Sequence, residues 1–282
     1  MKKFSVIIPT LNEEQNLPQL LLSFSKQTEK DFEVIVSDGK SEDKTREKAL
    51  EFNNLLDLKF VESPKRKLTS QRNFGAKNAS GEYLIFLDAD YKADEKFLAV
   101  LAKTIKNTNV DVVIPTTIPV TKSIFWKIYY SIANICLPFV LFSRKPFAVG
   151  SPICVKKEVF EKVGEYDDAI YIYEDQYLVQ QLFKIGAKIA FAKAKLYFST
   201  RREERDGKFK FIYDNIVSTL YLIFKGPIKT EIFKYKMGGQ EFKSSKWPQF
   251  LLYLASHGAV VKWSNTAVCK TAIRRFKSDP RL

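Results

Sequence analysis

Phe4-Ser5-Val6-Ile7-Ile8-Pro9-Thr10 is an unbroken, largely apolar run that stops just past a proline. The polar Leu11-Asn12-Glu13-Glu14 follows at once, and then Leu17, Leu20, Leu21 and Phe24. A continuous apolar run suits a strand covered on both faces, and the later spacing suits one face of a helix. The pattern repeats. Phe32-Glu33-Val34-Ile35-Val36 runs into Ser37-Asp38-Gly39-Lys40-Ser41-Glu42-Asp43, and a helix is predicted through Ala49, Leu50 and Phe52. Leu58-Lys59-Phe60-Val61 reads as a short third strand, and Ser70 to Ala79 as a helix rich in Gln, Arg and Asn. Tyr83-Leu84-Ile85-Phe86-Leu87 then ends at Asp88-Ala89-Asp90. Strands alternating with helices predict an α/β fold around a mostly parallel, Rossmann-like central sheet, which takes ligands at the carboxyl ends of its strands. Asn12, Glu13, Asp38, Asp88 and Asp90 are all expected on that edge.

Asp88 and Asp90 stand where a buried strand emerges, a position from which carboxylates can hold a hard divalent cation against a nucleotide diphosphate. An Asp-x-Asp triplet alone is a weak signal. Asn12 and Glu13 also suit a cap for a helix starting near Gln15, and Asp38 and Asp43 suit a turn and cap around Gly39.

Several stretches together resemble the family 2 glycosyltransferases with their GT-A fold. They are Ser5 to Glu13, Val36 to Asp43, Ser80 to Asp90, and a later set: Gly150, Phe160, Gly164, Tyr166, Tyr173-Glu174-Asp175-Gln176-Tyr177-Leu178 and Gly186. The resemblance covers about Phe4 to Arg202, with the motifs in order. It implies an inverting, metal-dependent enzyme that moves a sugar from a nucleotide-diphosphate donor to a hydroxyl or lipid phosphate. It further implies that Pro9 and Thr10 meet the base, that Asn12 lies in the same nucleoside loop, that Glu13 accepts from ribose hydroxyls and that Asp38 reads the base edge, with a lean to uracil. Asp90 would bind Mg²⁺ or Mn²⁺ directly, with Asp88 beside it and nearer the ribose. Asp175 would be the general base for a hydroxyl acceptor, next to Glu174. An acid at a helix N-terminus is the alternative for Asp175, since Leu178, Leu182 and Phe183 follow at helical spacing. Arg72 occupies a position where the family often has a basic residue on the donor side. Arg201-Arg202 suits either the diphosphate or a solvated basic loop. The Gln/Arg-x-x-Arg-Trp element of many relatives is missing. Lys65, Arg66 and Lys67 suit a solvated face.

The 282 residues, 45% hydrophobic, suffice for a full core with a helical extension. The organisation expected is a GT-A domain over 1–205, with 1–91 the nucleotide-sugar half and 92–205 the acceptor half, then a helical, membrane-surface extension over 206–257. The single histidine, His257, leaves proton transfer to carboxylates. Lys2-Lys3 leads straight into the first strand without a small-residue cleavage site, so no signal peptide is expected. Cys136, Cys154 and Cys269 lack metal-site spacing and are expected as reduced thiols in a cytoplasmic protein, peripheral at the inner face of the membrane.

The formal net charge of +14 suggests an anionic partner. Residues 128–142 are apolar and uncharged but shorter than a span and interrupted by Pro138, so a buried or interfacial helix is expected. Residues 209–224, flanked by Lys208, Lys210 and Lys225, suit an anionic membrane surface or, equally, a packed core helix. The interfacial reading favours a lipid-linked acceptor over a soluble saccharide.

Residues 258–282 stand apart. One permitted back-translation of 267–272 is GCG-GTC-TGC-AAA-ACC-GCN, and one of 274–279 is CGT-CGG-TTC-AAG-TCC-GAC. Their arms pair like the anticodon and TψC arms of a transfer RNA gene, so this stretch is expected to be a non-native tail translated across such a gene. It holds six Lys/Arg and one Asp, and without it the formal net charge falls from +14 to +9. A basic nucleic-acid-binding protein is the alternative class. It would need clustered basic and aromatic residues on one element, which Lys65-Arg66-Lys67 is too short to supply, and no nucleic-acid partner is expected.

Overall fold

The computed structural model describes residues 2–140, 152–200, 204 and 207–229. Arg201, Arg202, His257, Cys269, the rest of the expected extension and the 258–282 tail lie outside the described residues. The elements run β1 (Phe4–Thr10), α1 (Leu17–Ser25), β2 (Phe32–Asp38), α2 (Thr45–Leu50), β3 (Leu58–Glu62), α3 (Leu68–Lys77), β4 (Tyr83–Phe86) and β5 (Tyr91–Ala93). They continue with α4 (Phe97–Thr108), β6 (Val112–Val120), α5 (Ile124–Val140), β7 (Ile153–Lys156), α6 (Lys157–Lys162), α7 (Glu174–Lys184), β8 (Ile189–Ser199) and α8 (Lys208–Lys225).

The strands form one sheet in the order β3-β2-β1-β4-β7-β6-β8-β5. β1, β2, β3 and β4 are parallel neighbours, β7 runs against β4 and β6, β8 is parallel to β6, and β5 runs against β8. The sheet is therefore mostly parallel, as expected, with two reversed strands. The first two strands are in register from Phe4 opposite Phe32 to Thr10 opposite Asp38, so their polar loops open side by side.

Alternation along the strands explains the unbroken apolar runs. Phe4, Val6, Ile8, Val34, Val36 and Ile85 pack with Leu17, Leu20 and Leu21 of α1 and with Phe97, Leu98 and Leu101 of α4. Ile7, Ile35, Leu84 and Phe86 turn the other way, into a second core with Ala76 of α3, Phe160 of α6 and Leu178, Val179 and Leu182 of α7. Both faces are covered, so period-two patterning vanishes from the sequence. The predicted α1 begins two residues later than expected, at Leu17, and neither Asn12 nor Glu13 caps it: Asn16 is the N-cap and makes no side-chain capping bond. Instead the N–H groups of Asn16 and Leu17 donate to the Glu13 carbonyl at 3.2 and 3.0 Å, which closes the loop as a turn.

The Glu33 carboxylate is buried inside this apolar frame. Glu33 Oε1 accepts from Ser5 Oγ at 2.7 Å and from the N–H and hydroxyl of Ser80 at 2.6 and 2.7 Å, and its Oε2 accepts from Lys59 Nζ at 2.8 Å. β1, β2, β3 and the turn before β4 are thereby tied at one carboxylate. Burial pushes this acid up, but the bonds from Lys59, Ser5 and Ser80 outweigh it and hold it at about 2.

A group held below its ordinary 4.5 stabilises the fold above that pH and loses the contribution as pH falls toward about 2. Glu33→Gln is therefore expected to cost about 2 kcal/mol near neutral pH, discounted for the solvated Lys59 end of the pair. The deficit in denaturant midpoint should close between pH 5 and 2, and a deficit constant with pH would show that packing, not charge, was lost.

Candidate active site

The loops after β1 and β2 are laced together by their own polar atoms. Thr10 Oγ1 donates to Asp38 Oδ1 at 2.9 Å, and Ser41 donates to the same carboxylate through its N–H, to Oδ2 at 2.7 Å, and through its hydroxyl, to Oδ1 at 2.6 Å. Asn12 takes a left-handed backbone, φ 59°, from which its N–H donates to Ser41 Oγ and its side-chain carbonyl accepts from the Glu42 N–H, both at 2.8 Å. The Glu13 N–H donates to Thr45 Oγ1 at 2.8 Å, and Glu13 Oε2 accepts from Asn16 Nδ2 at 2.8 Å. Pro9, Thr10 and Asp38 are buried at the strand ends, whereas Asn12 and Glu13 are half-buried at the rim. Gly39 lets α3 approach closely: a Cβ there would stand 2.2 Å from Gln71 Nε2, so that side chain would have to move.

α3 carries the centre of the site. Arg72 is fully buried. Its Nη2 donates to Asp88 Oδ1 at 2.9 Å, and its Nη1 donates to Glu174 Oε1 and Asp175 Oδ1, each at 2.8 Å. One guanidinium thus joins the acid at the end of β4 to both acids of the first turn of α7, although Asp88 and Asp175 come from distant parts of the chain. Arg72, which the resemblance sets on the donor side, is buried and bonded to these three acids.

Tyr166 completes the cluster. Its hydroxyl donates to Asp175 Oδ1 at 2.9 Å, and the Arg72 guanidinium lies 5.1 Å from its ring centroid. Asn73 fixes Tyr166 by a reciprocal pair, donating from Nδ2 to the Tyr166 carbonyl at 2.8 Å and accepting the Tyr166 N–H on Oδ1 at 3.0 Å. Both bonds to Asp175 fall on Oδ1. Asp168 of the adjoining loop accepts from Thr69 Oγ1 at 2.9 Å, Ser70 Oγ at 2.8 Å and Lys65 Nζ at 3.3 Å, while its carbonyl accepts from Lys67 Nζ. Lys65, exposed as expected, and the half-buried Lys67 thus both meet the loop that carries Tyr166. Arg66 pairs with Glu42 at 2.9 Å on an exposed edge.

Burial pushes the Asp175 carboxyl up. Arg72 pulls it down, Glu174 and Asp88 push it up again, and the net position is well above an ordinary aspartate. One cation shared among three acids cannot neutralise all of them.

Asp90 is exposed, two residues beyond Asp88 in the turn that leads to β5. Among the described residues no group of three His, Cys, Asp or Glu forms a cage for a metal. Mg²⁺ or Mn²⁺ held through one or two carboxylates plus substrate phosphates needs no cage. An exposed Asp90 beside a partly exposed Asp88 fits that donor set.

Asn73 and Tyr166 are the site residues that sequence reasoning did not single out for roles. Their signal was faint: two adjacent polar residues, Arg72-Asn73, on a helix that also had to cover the sheet.

The chain matches the sequence profile of Glycosyl transferase family 2 over residues 5–164. It is 29% identical over 195 residues to Glycosyltransferase AglE of Haloferax volcanii, an alignment covering 67% of this chain and 64% of that protein. It is 36% identical over 107 residues to a Dolichol-phosphate mannosyltransferase of Pyrococcus furiosus, covering 37% of this chain and 30% of the relative. The crystal structure of Staphylococcus aureus TarS 1-349 in complex with UDP superposes with a TM-score of 0.58 at 24% identity, over 70% of this chain and 60% of that one. The chain thus spans less than two thirds of the length of each of these three proteins.

Arg72→Met would strand three carboxylates around an apolar side chain, a change that typically costs about 3–5 kcal/mol. A matching fall in the denaturant midpoint is expected for that variant, partly relieved in Arg72→Met/Asp175→Asn. No relief in the double variant would mean that Arg72 acts through packing alone.

Proposed function

The chain belongs to Glycosyl transferase family 2, and we propose that it is an inverting transferase in which Asp175 is the base for a hydroxyl acceptor and a nucleotide-diphospho-sugar is the donor. The observation that carries this reading is the single guanidinium of Arg72 bonded to Asp88, Glu174 and Asp175, which brings the expected donor-side acid beside the expected base. TarS has been solved with UDP and with UDP-GlcNAc, which supports a uridine donor here.

In this reading the ribose meets Glu13 and Asn12, and the base lies by the loop built on Pro9, Thr10 and Asp38. Asp88 and Asp90 would hold Mg²⁺ or Mn²⁺, whose charge offsets that of the departing diphosphate. The acceptor oxygen attacks the anomeric carbon from the face opposite the diphosphate. Its proton passes to Asp175 Oδ2 while the bond to the diphosphate breaks, and the electron pair leaves with the diphosphate. Tyr166 and Arg72 hold Oδ1 and so keep Oδ2 turned to the acceptor. A raised carboxyl suits a base that works near neutral pH. Glu174 shares Arg72 with Asp175 and keeps it from neutralising Asp175 completely. Arg201 and Arg202 remain proposed partners of the diphosphate or of an anionic acceptor. The donor half spans 1–91 and the acceptor half 92–205.

The acceptor is a saccharide or a lipid-linked group, the latter supported by the kinship with a dolichol-phosphate enzyme, and the protein works at the inner face of a membrane. Among the described residues no helix is long and apolar enough to cross one.

Thermal shift with UDP-, GDP- and dTDP-sugars plus Mn²⁺ should rank the UDP-sugars first. With the stabilising donor and a hydroxyl acceptor, Asp175→Asn is expected to lower kcat about a thousandfold with donor binding kept. Full turnover in that variant would remove Asp175 from the chemistry. Asp90→Ala should lose turnover with its melting temperature unchanged, as should the wild type with a chelator.

The base must be ionised, and its carboxyl stands above the ordinary range, so activity is lost from the acid side. The acid limb of kcat/KM should lie well above 3.8 and move in Tyr166→Phe, which removes a bond to the ionised form and raises the pKa further. An unmoved limb would assign it to another group.

A further inference from the structure

α5 carries an apolar stripe that the sheet does not cover. Trp126, Tyr130 and Leu137 are buried, whereas Ile124, Ile128, Ile132 and Ile135 on the opposite face are 72%, 54%, 55% and 66% exposed. Their spacing puts them in one line about 16 Å long on a helix. Isolated exposed isoleucines need no explanation, but four in a row on one helix do.

α8 packs beside α5. The Phe211 ring lies 5.1 Å from Trp126 and 6.0 Å from Tyr129, and Lys208 Nζ stands 5.0 Å over the Phe125 ring. α8 adds its own exposed apolar residues, Phe209 at 89% and Ile216 at 54%, seven positions apart and so on one side of the helix. Together the two helices contain Lys127, Lys208, Lys210 and Lys225 against one acid, Asp214.

We propose that the α5–α8 face docks on an anionic phospholipid bilayer. Charge decides this occupant. An amphipathic helix seats its apolar line at the acyl boundary while flanking lysines meet anionic headgroups. A second copy of the chain would bring the same lysine-bordered patch against itself, with no acid of α5 to offset the repulsion.

The surface also adjoins the candidate base. Tyr173, the residue before Glu174, donates its hydroxyl to Asn215 Oδ1 of α8 at 3.4 Å, and the Tyr171 N–H donates to the Ile228 carbonyl just past α8 at 2.8 Å. Docking would therefore bring the bilayer to elements that border Glu174 and Asp175. The acceptor class that fits is a lipid-anchored one, a consequence that rests on the transferase reading, whereas the docking itself does not.

The test is flotation of the full chain with vesicles of phosphatidylcholine alone or mixed with phosphatidylglycerol, at low and high salt. Binding is expected only to the mixed vesicles, weakened by salt. Ile128→Ser/Ile132→Ser should lower partition about tenfold for each isoleucine, and Lys127→Ala/Lys210→Ala about fivefold for each lysine. UDP thermal shift and melting temperature should stay as in the wild type for both variants, which separates failed docking from a failed donor site. Wild-type protein that shifts with UDP yet does not float overturns the proposal. So does equal flotation of wild type and both variants, or a dimer in light scattering that Ile128→Ser/Ile132→Ser dissolves while no vesicles are bound.

Discussion

A fully buried guanidinium bonded to three carboxylates is the constraint on which the site depends. Arg72 lies on a helix that also covers the sheet, so it reaches Asp88, Glu174 and Asp175 only while α3, the end of β4 and the start of α7 keep their places. The cost of taking such a cation from water is repaid only if the acids stay within bonding distance. Asn73, next to Arg72, uses both ends of its amide to fix Tyr166, and Tyr166 in turn holds Asp175. The end of β4, the start of α7 and the loop carrying Tyr166 thus depend on two adjacent residues of one helix.

Two buried carboxylates of this chain illustrate how environment divides structure from chemistry. Glu33 accepts four hydrogen bonds, one of them from Lys59, and is held at about 2. Asp175 accepts from Arg72 and Tyr166 but shares that cation with two other acids, and it is raised. The first is ionised at any physiological pH and serves as a tie between strands. The second costs stability when ionised, because its proton is held more tightly in the folded chain than in the unfolded one. A fold that only needed to be stable would not keep three acids around one arginine.

The parallel half of the sheet was legible in the sequence because each of its strands is a local signal: an apolar run, then polar residues, then a helical period. β1, β3 and β4 fall within a residue of the runs that predict them, and β2 runs two residues past its own. β6 was missed because Pro115 and Pro119 interrupt its run, and the structure shows a register shift with β8 beside Pro115. β5 and β7 are three and four residues long and take their direction from partners far away in sequence. Pairing of that kind leaves no periodic trace.

At the site the same division holds. Strand-end acids are visible because the loops that carry them are short and polar, so Asp38, Asp88 and Asp90 were found at the predicted edge. What each carboxylate bonds to was not visible. Asp38 is bound by Thr10 and Ser41 of the two laced loops, and Asp88 by Arg72. The bonds from Arg72 to Glu174 and Asp175 and from Asn73 to Tyr166 each span about ninety residues or more of chain. Neither residue type nor local spacing specifies such a partner. α5 shows the converse limit: its composition was readable as apolar, but only the packing of Trp126, Tyr130 and Leu137 against the body decides that the isoleucines are the residues left facing water. A sequence records which side chains are available to a surface, and the fold decides which of them the surface keeps.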